Sequence, residues 1–533
     1  MKRYKGLGVV AFTITCMLGL SACGTEHDPE QGQDTTEESA TGDGGDEEED
    51  FDDEETDGID EDDDGVTEDD EGETNAGDES DTVDSEESED PVDDSVSNPD
   101  TGSGTGDASG DMGASIPTDA PQLAWSIGHG YTEGQEGHPH HAIETQDGGF
   151  AIIGETSVET SRGERYTMYL LLTDASGNAV FKTDLGYGAW SNGNHVLQLP
   201  DGHFLVAGSH DISNISNADD PGQEHERVLV KVDGTTGNII ETVYFPATGR
   251  DAIRGLHLND DGTVIAVGYK GGAYDDETFV VTSATGFIMK LSSTFDILWE
   301  RDVPEFFELR KVVKAKDGQS YAAVGNIAPE GSEFVNFGMY FTDGIGSGNS
   351  APSGEWRAYG AGDVYDMDID LDGNYILGGH TVPLNPDGSD GPGGWEGTAI
   401  KVNRSTKAMM WLKTFGNPNN GPNPSVIFDE CYGVRALPWG GYALACGTGI
   451  EPPYVNEEDP FNVWRAYVAR LSSGGDVLWA RTYSTGDIDD AAEYLVATRD
   501  CGFAVFTDSA NLGGYGIYRT APEPGIPCPA TNR

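Results

Sequence analysis

Asp147-Gly148-Gly149-Phe150-Ala151-Ile152-Ile153-Gly154 is a tight turn that runs into an apolar strand, and the chain repeats this turn six more times. The recurrences are Asp201-Gly202-His203-Phe204, Asp261-Gly262-Thr263-Val264, Asp317-Gly318-Gln319-Ser320, Asp372-Gly373-Asn374-Tyr375, Trp439-Gly440-Gly441-Tyr442 and Asp500-Cys501-Gly502-Phe503, at intervals of 54 to 67 residues. A short apolar strand precedes each turn, so each marks a hairpin. A third strand follows at 169–173, 228–232, 287–291, 337–342, 398–402, 467–471 and 515–520. Fourth strands, often carrying Trp, centre on Phe181, Ile240, Trp299, Trp356, Trp411 and Trp479. A long-period repeat of four strands predicts an all-β fold, a seven-bladed β-propeller.

Only six fourth strands follow a hairpin, because Thr520 leads into Ala-Pro-Glu-Pro near the chain's end. The seventh candidate stands at the beginning: Leu123-Ala124-Trp125-Ser126 has the character of Val477-Leu478-Trp479-Ala480. The N-terminal strand is therefore expected to complete the last blade, with Trp125 in the core position of Trp479, and to close the ring by pairing its edges.

The two ends differ sharply in charge. Lys2, Arg3 and Lys5 precede an apolar run over 6–19, the charged and hydrophobic regions of an export signal, too short to span a bilayer. The run stops at Leu20-Ser21-Ala22-Cys23-Gly24, which resembles the lipobox of bacterial lipoproteins. That resemblance implies a signal peptide over 1–22, acylation of Cys23 and a membrane partner through the lipid anchor. Gly24 is not the aspartate that retains some such proteins at the inner membrane, so an outer-membrane lipoprotein is expected, facing the periplasm or the cell surface.

Residues 24–116 hold 40 Asp or Glu and no Lys or Arg, and such a tract lacks the apolar surface to offset its ordering entropy. A disordered acidic linker over 23–116 is expected, ahead of a propeller over 117–533. Of the 29 basic and 96 acidic residues, 3 basic ones lie in the signal and 40 acidic ones in the linker, which leaves 26 against 56 for the remainder. A body at −30 disfavours nucleic acid as a partner.

Within the linker, Asp60, Asp62, Asp64, Gly65 and Glu71 match the spacing of a calcium loop, although no helices are expected to flank it. The tract also resembles the calcium-binding repeats of thrombospondin type. Calcium is the one cofactor that the sequence raises, against a plain polyanionic spacer. Asp368, Asp370, Asp372 and Gly373 give a similar string, but the repeated turn already accounts for Asp372-Gly373. His138-Pro139-His140-His141, with His195 at the matching point of the next unit, invites a metal reading. A polar channel rim is favoured, since no third ligand is identifiable.

Four cysteines follow Cys23, and an exported chain meets conditions that permit disulfides. Four cysteines allow three pairings. The usual propeller path favours Cys431 with Cys446 at the top and Cys501 with Cys528 at the bottom, with free or metal-binding thiols as the alternative.

Aligning the units on the turn gives one apolar column, Ala142, Val196, Leu256, Val312, Met367, Val434 and Leu495, expected to pack between blades. Two residues earlier the column reads His140, Asn194, Arg254, Arg310, Tyr365, Tyr432 and Glu493, in which every side chain can form a hydrogen bond. A ring of these groups at the channel mouth is the expected ligand site. Arg254 and Arg310 come from consecutive units and are expected to grip one carboxylate or sulfate together.

The Asp-Gly-Gly-Phe and Leu-Trp-x-Arg repetition over 121–520 resembles the propeller repeats of bacterial secreted and surface lipoproteins more than those of quinoprotein propellers. The plan of lipobox plus propeller also resembles that of the propeller subunit of the outer-membrane barrel assembly machinery. These resemblances imply a binding or assembly module for a protein, glycan or small solute. The alternative is a propeller lyase or hydrolase on an acidic glycan, with Glu493 or Asp366 carrying a proton beside Arg254, Arg310 or Tyr432.

Overall fold

A computed structural model describes residues 119–528 apart from 131–136, 161–162, 189, 212–223, 247–248, 276–279, 328–334, 382–393, 417–426, 450–462, 485–488 and 511. The signal peptide, Cys23, the acidic tract and its candidate calcium ligands Asp60, Asp62, Asp64 and Glu71 lie outside the described residues.

The described residues form 29 strands and no helix. They assemble into antiparallel four-stranded sheets in which chain order equals spatial order, as in the sheet Gly137–Glu144, Phe150–Thr160, Gly163–Thr173 and Ala179–Asp184. One larger sheet of nine strands arises where Arg250 bridges His225, linking two such groups, and where Val280–Thr282 adds a short extra strand. Successive meanders of this kind are a propeller-like all-β architecture.

The Asp-Gly turns are what allow each meander to reverse. In the first, the Gly148 amide donates to the Thr145 carbonyl at 2.9 Å, and Gly148 sits at φ +84°, a left-handed conformation open to glycine at little cost. The same bond recurs at Gly202, Gly262, Gly318, Gly373 and Gly440. At the seventh turn Cys501 takes the glycine position at φ +63°.

Burial follows from strand alternation. The apolar column Ala142, Val196, Leu256, Val312, Met367, Val434 and Leu495 is buried throughout. Core clusters join the faces of consecutive sheets: Ile265, Val267 and Ile288 pack with Leu309, Val312 and Ala323 of the next. The first sheet packs on the last, through Ala142, Ile152 and Tyr169 against Ala504, Phe506 and Ile517.

The two ends of the described chain meet. Leu123–His129 pairs antiparallel with Gly514–Thr520, with Trp125 opposite Arg519. Trp125 departs from expectation, since it is only half-buried, over the turn at Gly177, while Trp479 is buried.

The expected disulfides are both present, Cys431 to Cys446 and Cys501 to Cys528. The second ties down a segment that follows the last strand. There the Glu523 amide donates to the Cys501 carbonyl at 2.8 Å, and the Glu523 side chain enters the core. Its Oε1 accepts from Arg470 Nε at 3.2 Å and Trp479 Nε1 at 2.9 Å, and its Oε2 from Trp439 Nε1 at 2.6 Å. Arg470 is wholly buried and spends its other donors on the carbonyls of Gly440, Tyr442 and Leu471.

Candidate functional site

The first strands of the meanders are Gly137–Glu144, Ser191–Gln198, Arg250–Leu258, Glu308–Lys314, Asp363–Ile369, Phe428–Ala436 and Asp490–Ala497. Each packs against the first strand of the meander before and after it, and Gly137–Glu144 packs against Asp490–Ala497. They surround one cavity.

All seven carry a register break at the same place. Pairing skips His140, Asn194, Arg254, Arg310, Tyr365, Tyr432 and Glu493 in turn. These are the residues of the polar column. A β-bulge leaves its extra residue without a partner across the ladder and re-aims its side chain. Here the bulges deliver all seven side chains to the cavity lining.

A bulge also brings the following residue toward the same side, and of these the sequence reading raised His141, His195 and Asp366 but not Lys311 or Tyr494. His141, His195, Lys311, Asp366 and Tyr494 occupy that next column and join the lining, with His138. Its remaining members are Gly255 and Gly433; at Gly255 a Cβ would lie 2.6 Å from the Arg310 carbonyl oxygen, so the close approach of two strands excludes a side chain. The cavity offers about 80 Å³, room for several waters or one small acidic group rather than a sugar ring.

Contacts pass from strand to strand around the lining. His140 Nδ1 donates to the Gly193 carbonyl at 2.9 Å, which fixes its tautomer and leaves Nε2 as an acceptor. Asn194 donates to the Ile253 carbonyl at 3.0 Å and accepts from Arg254 Nη1 at 2.7 Å. The Arg310 guanidinium lies 4.6 Å over the Tyr365 ring, which meets Tyr432 edge-on at 4.5 Å.

The arginine pair differs from expectation. Glu308, which the sequence reading passed over, stands between the two: its Oε2 is 3.6 Å from Arg254 Nε and its Oε1 is 2.6 Å from Arg310 Nη2. A carboxylate of the chain itself is thus already gripped. Asp366 is similarly shared, by Lys311 at 3.6 Å and Arg435 at 2.5 Å, and it accepts from the Val434 amide. Asp366, raised from the sequence as a proton carrier, is thus engaged by Arg435 and the Val434 amide. These two clusters gather Arg254, Arg310, Lys311 and Arg435 around the carboxylates of Glu308 and Asp366, with Asp368 also beside Lys311 and Arg435.

The other acid of the ring is different. Burial, with Asp508 nearby, pushes the Glu493 carboxyl well above the usual range, which favours its neutral form. Burial, with the Arg254 charge, pushes His140 down to about 3, and His141 and His195 fall well below their ordinary value. His140, His141 and His195 therefore present neutral imidazoles to the cavity.

Behind the ring, Asp363 lies 3.7 Å from His380 Nε2, and His380 stacks on Trp395 with ring centroids 4.6 Å apart. Burial pushes Asp363 up to about 7 against the pull of Arg310, and His380 down to about 3.

No group of three or more His, Cys, Asp or Glu among the described residues has the geometry of a metal site. His141 and His195 stack on each other at 3.7 Å instead. The Asp368 to Gly373 string is no calcium loop either: Asp370 accepts from Lys401 and Tyr442, both at 3.0 Å, and Asp368 from the Ala436 amide at 3.0 Å.

No protein-family model matches the chain, and no curated protein matches it. Among solved structures, puromycin hydrolase is similar at 14% identity and a TM-score of 0.40, over 73% of this chain and 53% of that one. This chain thus spans about half the length of that protein. The periplasmic gluconolactonase of Pseudomonas aeruginosa aligns at 13% identity and 0.38, over 70% and 96% of the two chains. The β-propeller domain of the Trilobed protease from Pyrococcus furiosus aligns at 10% identity and 0.37, over 74% and 92%. Similarity at this level says nothing about activity.

Proposed function

We propose that this chain is an exported lipoprotein, anchored through Cys23, whose seven-bladed propeller binds a partner bearing an acidic group at the mouth of its central channel. The single observation that carries the binding reading is the ring of seven bulged side chains around one cavity, with Arg254 and Arg310 among them. Seven equivalent bulges each set one side chain outside ladder pairing and aim it at the same cavity.

The ring is closed by the strand Leu123–His129 on the last meander, which removes the exposed edges that an open array would leave. A closed ring holds the seven bulges at fixed spacing. Room of about 80 Å³ admits a carboxylate or sulfate, so the rest of a glycan or protein ligand lies above the floor. Glu308 already neutralises part of the arginine charge, and Tyr432 and the neutral carboxyl of Glu493 add hydrogen-bonding groups to the lining.

Calorimetric titration with alginate, polygalacturonate and chondroitin sulfate oligosaccharides tests the reading. One of these is expected to bind, and Arg254→Ala and Arg310→Ala are each expected to weaken it about tenfold or more, as for loss of a charge-assisted hydrogen bond. Binding that survives both substitutions unchanged places the interaction elsewhere. Mass spectrometry of the mature N-terminal peptide tests the anchor, with an acylated Cys23 as the expected result.

A further inference from the structure

We propose that Lys311 is a nucleophilic amine on which the cavity captures the carbonyl group of a small aldehyde-bearing acid as an imine. The geometry sets this side chain apart from the other lysines. It stands on Glu308–Lys314, but its Nζ crosses the cavity to His141 Nε2 at 2.9 Å and Tyr494 Oη at 3.0 Å. Those residues belong to the strands Gly137–Glu144 and Asp490–Ala497, neither of which is its neighbour in the ring. Lys311 lines the cavity, and its side chain is 14% exposed.

Nζ contacts His141 Nε2 and Tyr494 Oη, each of which can donate to it or accept from it. The Val196 amide approaches His141 Nδ1 at 3.4 Å, an arrangement that matches a proton on Nε2 and an uncharged Nζ. Tyr494 Oη is then the acceptor for one amine hydrogen. Asp366, at 3.6 Å, is beyond hydrogen-bond range and is engaged by Arg435.

The electrostatics agree. Burial, with the Arg435 charge, pushes Lys311 down to about 8, against the opposing pull of Asp366 and Asp368. The imidazoles that face it, His141, His195 and His257, are themselves pushed down by burial and carry no countervailing charge. A buried lysine among such groups is the form in which this side chain serves as a nucleophile.

The reaction balances without any further reagent. Nζ forms a bond to the carbonyl carbon, its two hydrogens leave with the carbonyl oxygen as water, and a carbon-nitrogen double bond remains. His141 and Tyr494, both in contact with Nζ, can pass those protons to the departing oxygen. The acidic end of the substrate would face Arg254 and Arg310, and that part alone rests on the function proposed above.

The test uses the full chain with glyoxylate, and separately with acetaldehyde, in the presence of cyanoborohydride, which reduces an imine to a stable secondary amine. Peptide mapping at pH 7 to 9 then compares Lys311 with Lys413, whose side chain is 43% exposed. At pH 8 an amine with a pKa of about 8 is half neutral, whereas an ordinary lysine is only about 0.4% neutral. Lys311 is expected to be labelled about tenfold faster than Lys413, even with narrower access, with the rate rising through pH 8. Labelling of Lys311 no faster than of Lys413 by both aldehydes overturns the proposal. Selective labelling by acetaldehyde with no advantage for glyoxylate upholds the amine and removes only the arginine-directed orientation.

Discussion

Glu523 is the residue whose loss should cost the fold most for a single side chain outside the strands. Replacing it with leucine leaves the wholly buried Arg470 without its carboxylate and the indole N–H groups of Trp439 and Trp479 without an acceptor. Removing one partner of a buried ion pair costs about 3 to 5 kcal/mol. An orphaned buried donor costs about 1 to 3 kcal/mol more, and the terms overlap because all four groups share one site. A total of about 5 kcal/mol is the expectation. For a folded body of about 400 residues the entropy of unfolding is about 0.8 kcal/mol/K, so the midpoint should fall by about 6 °C. Scanning calorimetry on oxidised protein reads this directly. The double variant Arg470→Met, Glu523→Leu should recover much of the loss, because it removes the stranded charge. A Glu523→Leu midpoint within one degree of wild type, or a double variant as unstable as the sum of the singles, would refute the reasoning.

Two further outcomes follow from burial and titration. Trp125→Ala should cost about 1 to 2 kcal/mol in a denaturant titration, less than the about 3 to 5 kcal/mol for Trp479→Ala, because only the latter side chain is buried. Equal losses would show that the edge strand is packed as deeply as the core. Asp363→Asn should raise stability at pH 8 by on the order of 2 kcal/mol and flatten the slope between pH 5 and 7. The sign follows from burial: the folded-state pKa of Asp363 lies near 7, above its unfolded value, so the folded state gains protons as pH falls and wild type is stabilised toward acid. Thermal melts of both proteins across that range decide it, and parallel curves would remove Asp363 from the account.

Much of this architecture is legible in the sequence because turn chemistry and alternation are local. Gly148 and its equivalents announce hairpins through a φ that few other residues adopt, and the apolar column from Ala142 to Leu495 follows from period-two burial. The polar column was visible as a pattern, yet its cause was not: the bulges at His140 through Glu493 shift pairing by one residue, and nothing in composition marks a skipped partner. For the same reason Lys311 and Tyr494 drew no attention in the sequence, although His141 was raised there as a rim or metal residue. Glu308 and Glu523 escaped for another reason. Their roles depend on partners far along the chain, Arg254 and Arg470, which only the folded chain brings within reach.

The bulges also separate two jobs that most strands must combine. A residue inside a ladder answers to its neighbours, so changing its chemistry disturbs register or packing. His140, Asn194, Arg254, Arg310, Tyr365, Tyr432 and Glu493 stand outside the ladder, one on each inner strand. The scaffold thus offers seven positions around one cavity whose side chains answer to one another, as Asn194 does to Arg254 and Tyr365 to Arg310, and a new specificity can be spelled there without rewriting the sheets that hold it.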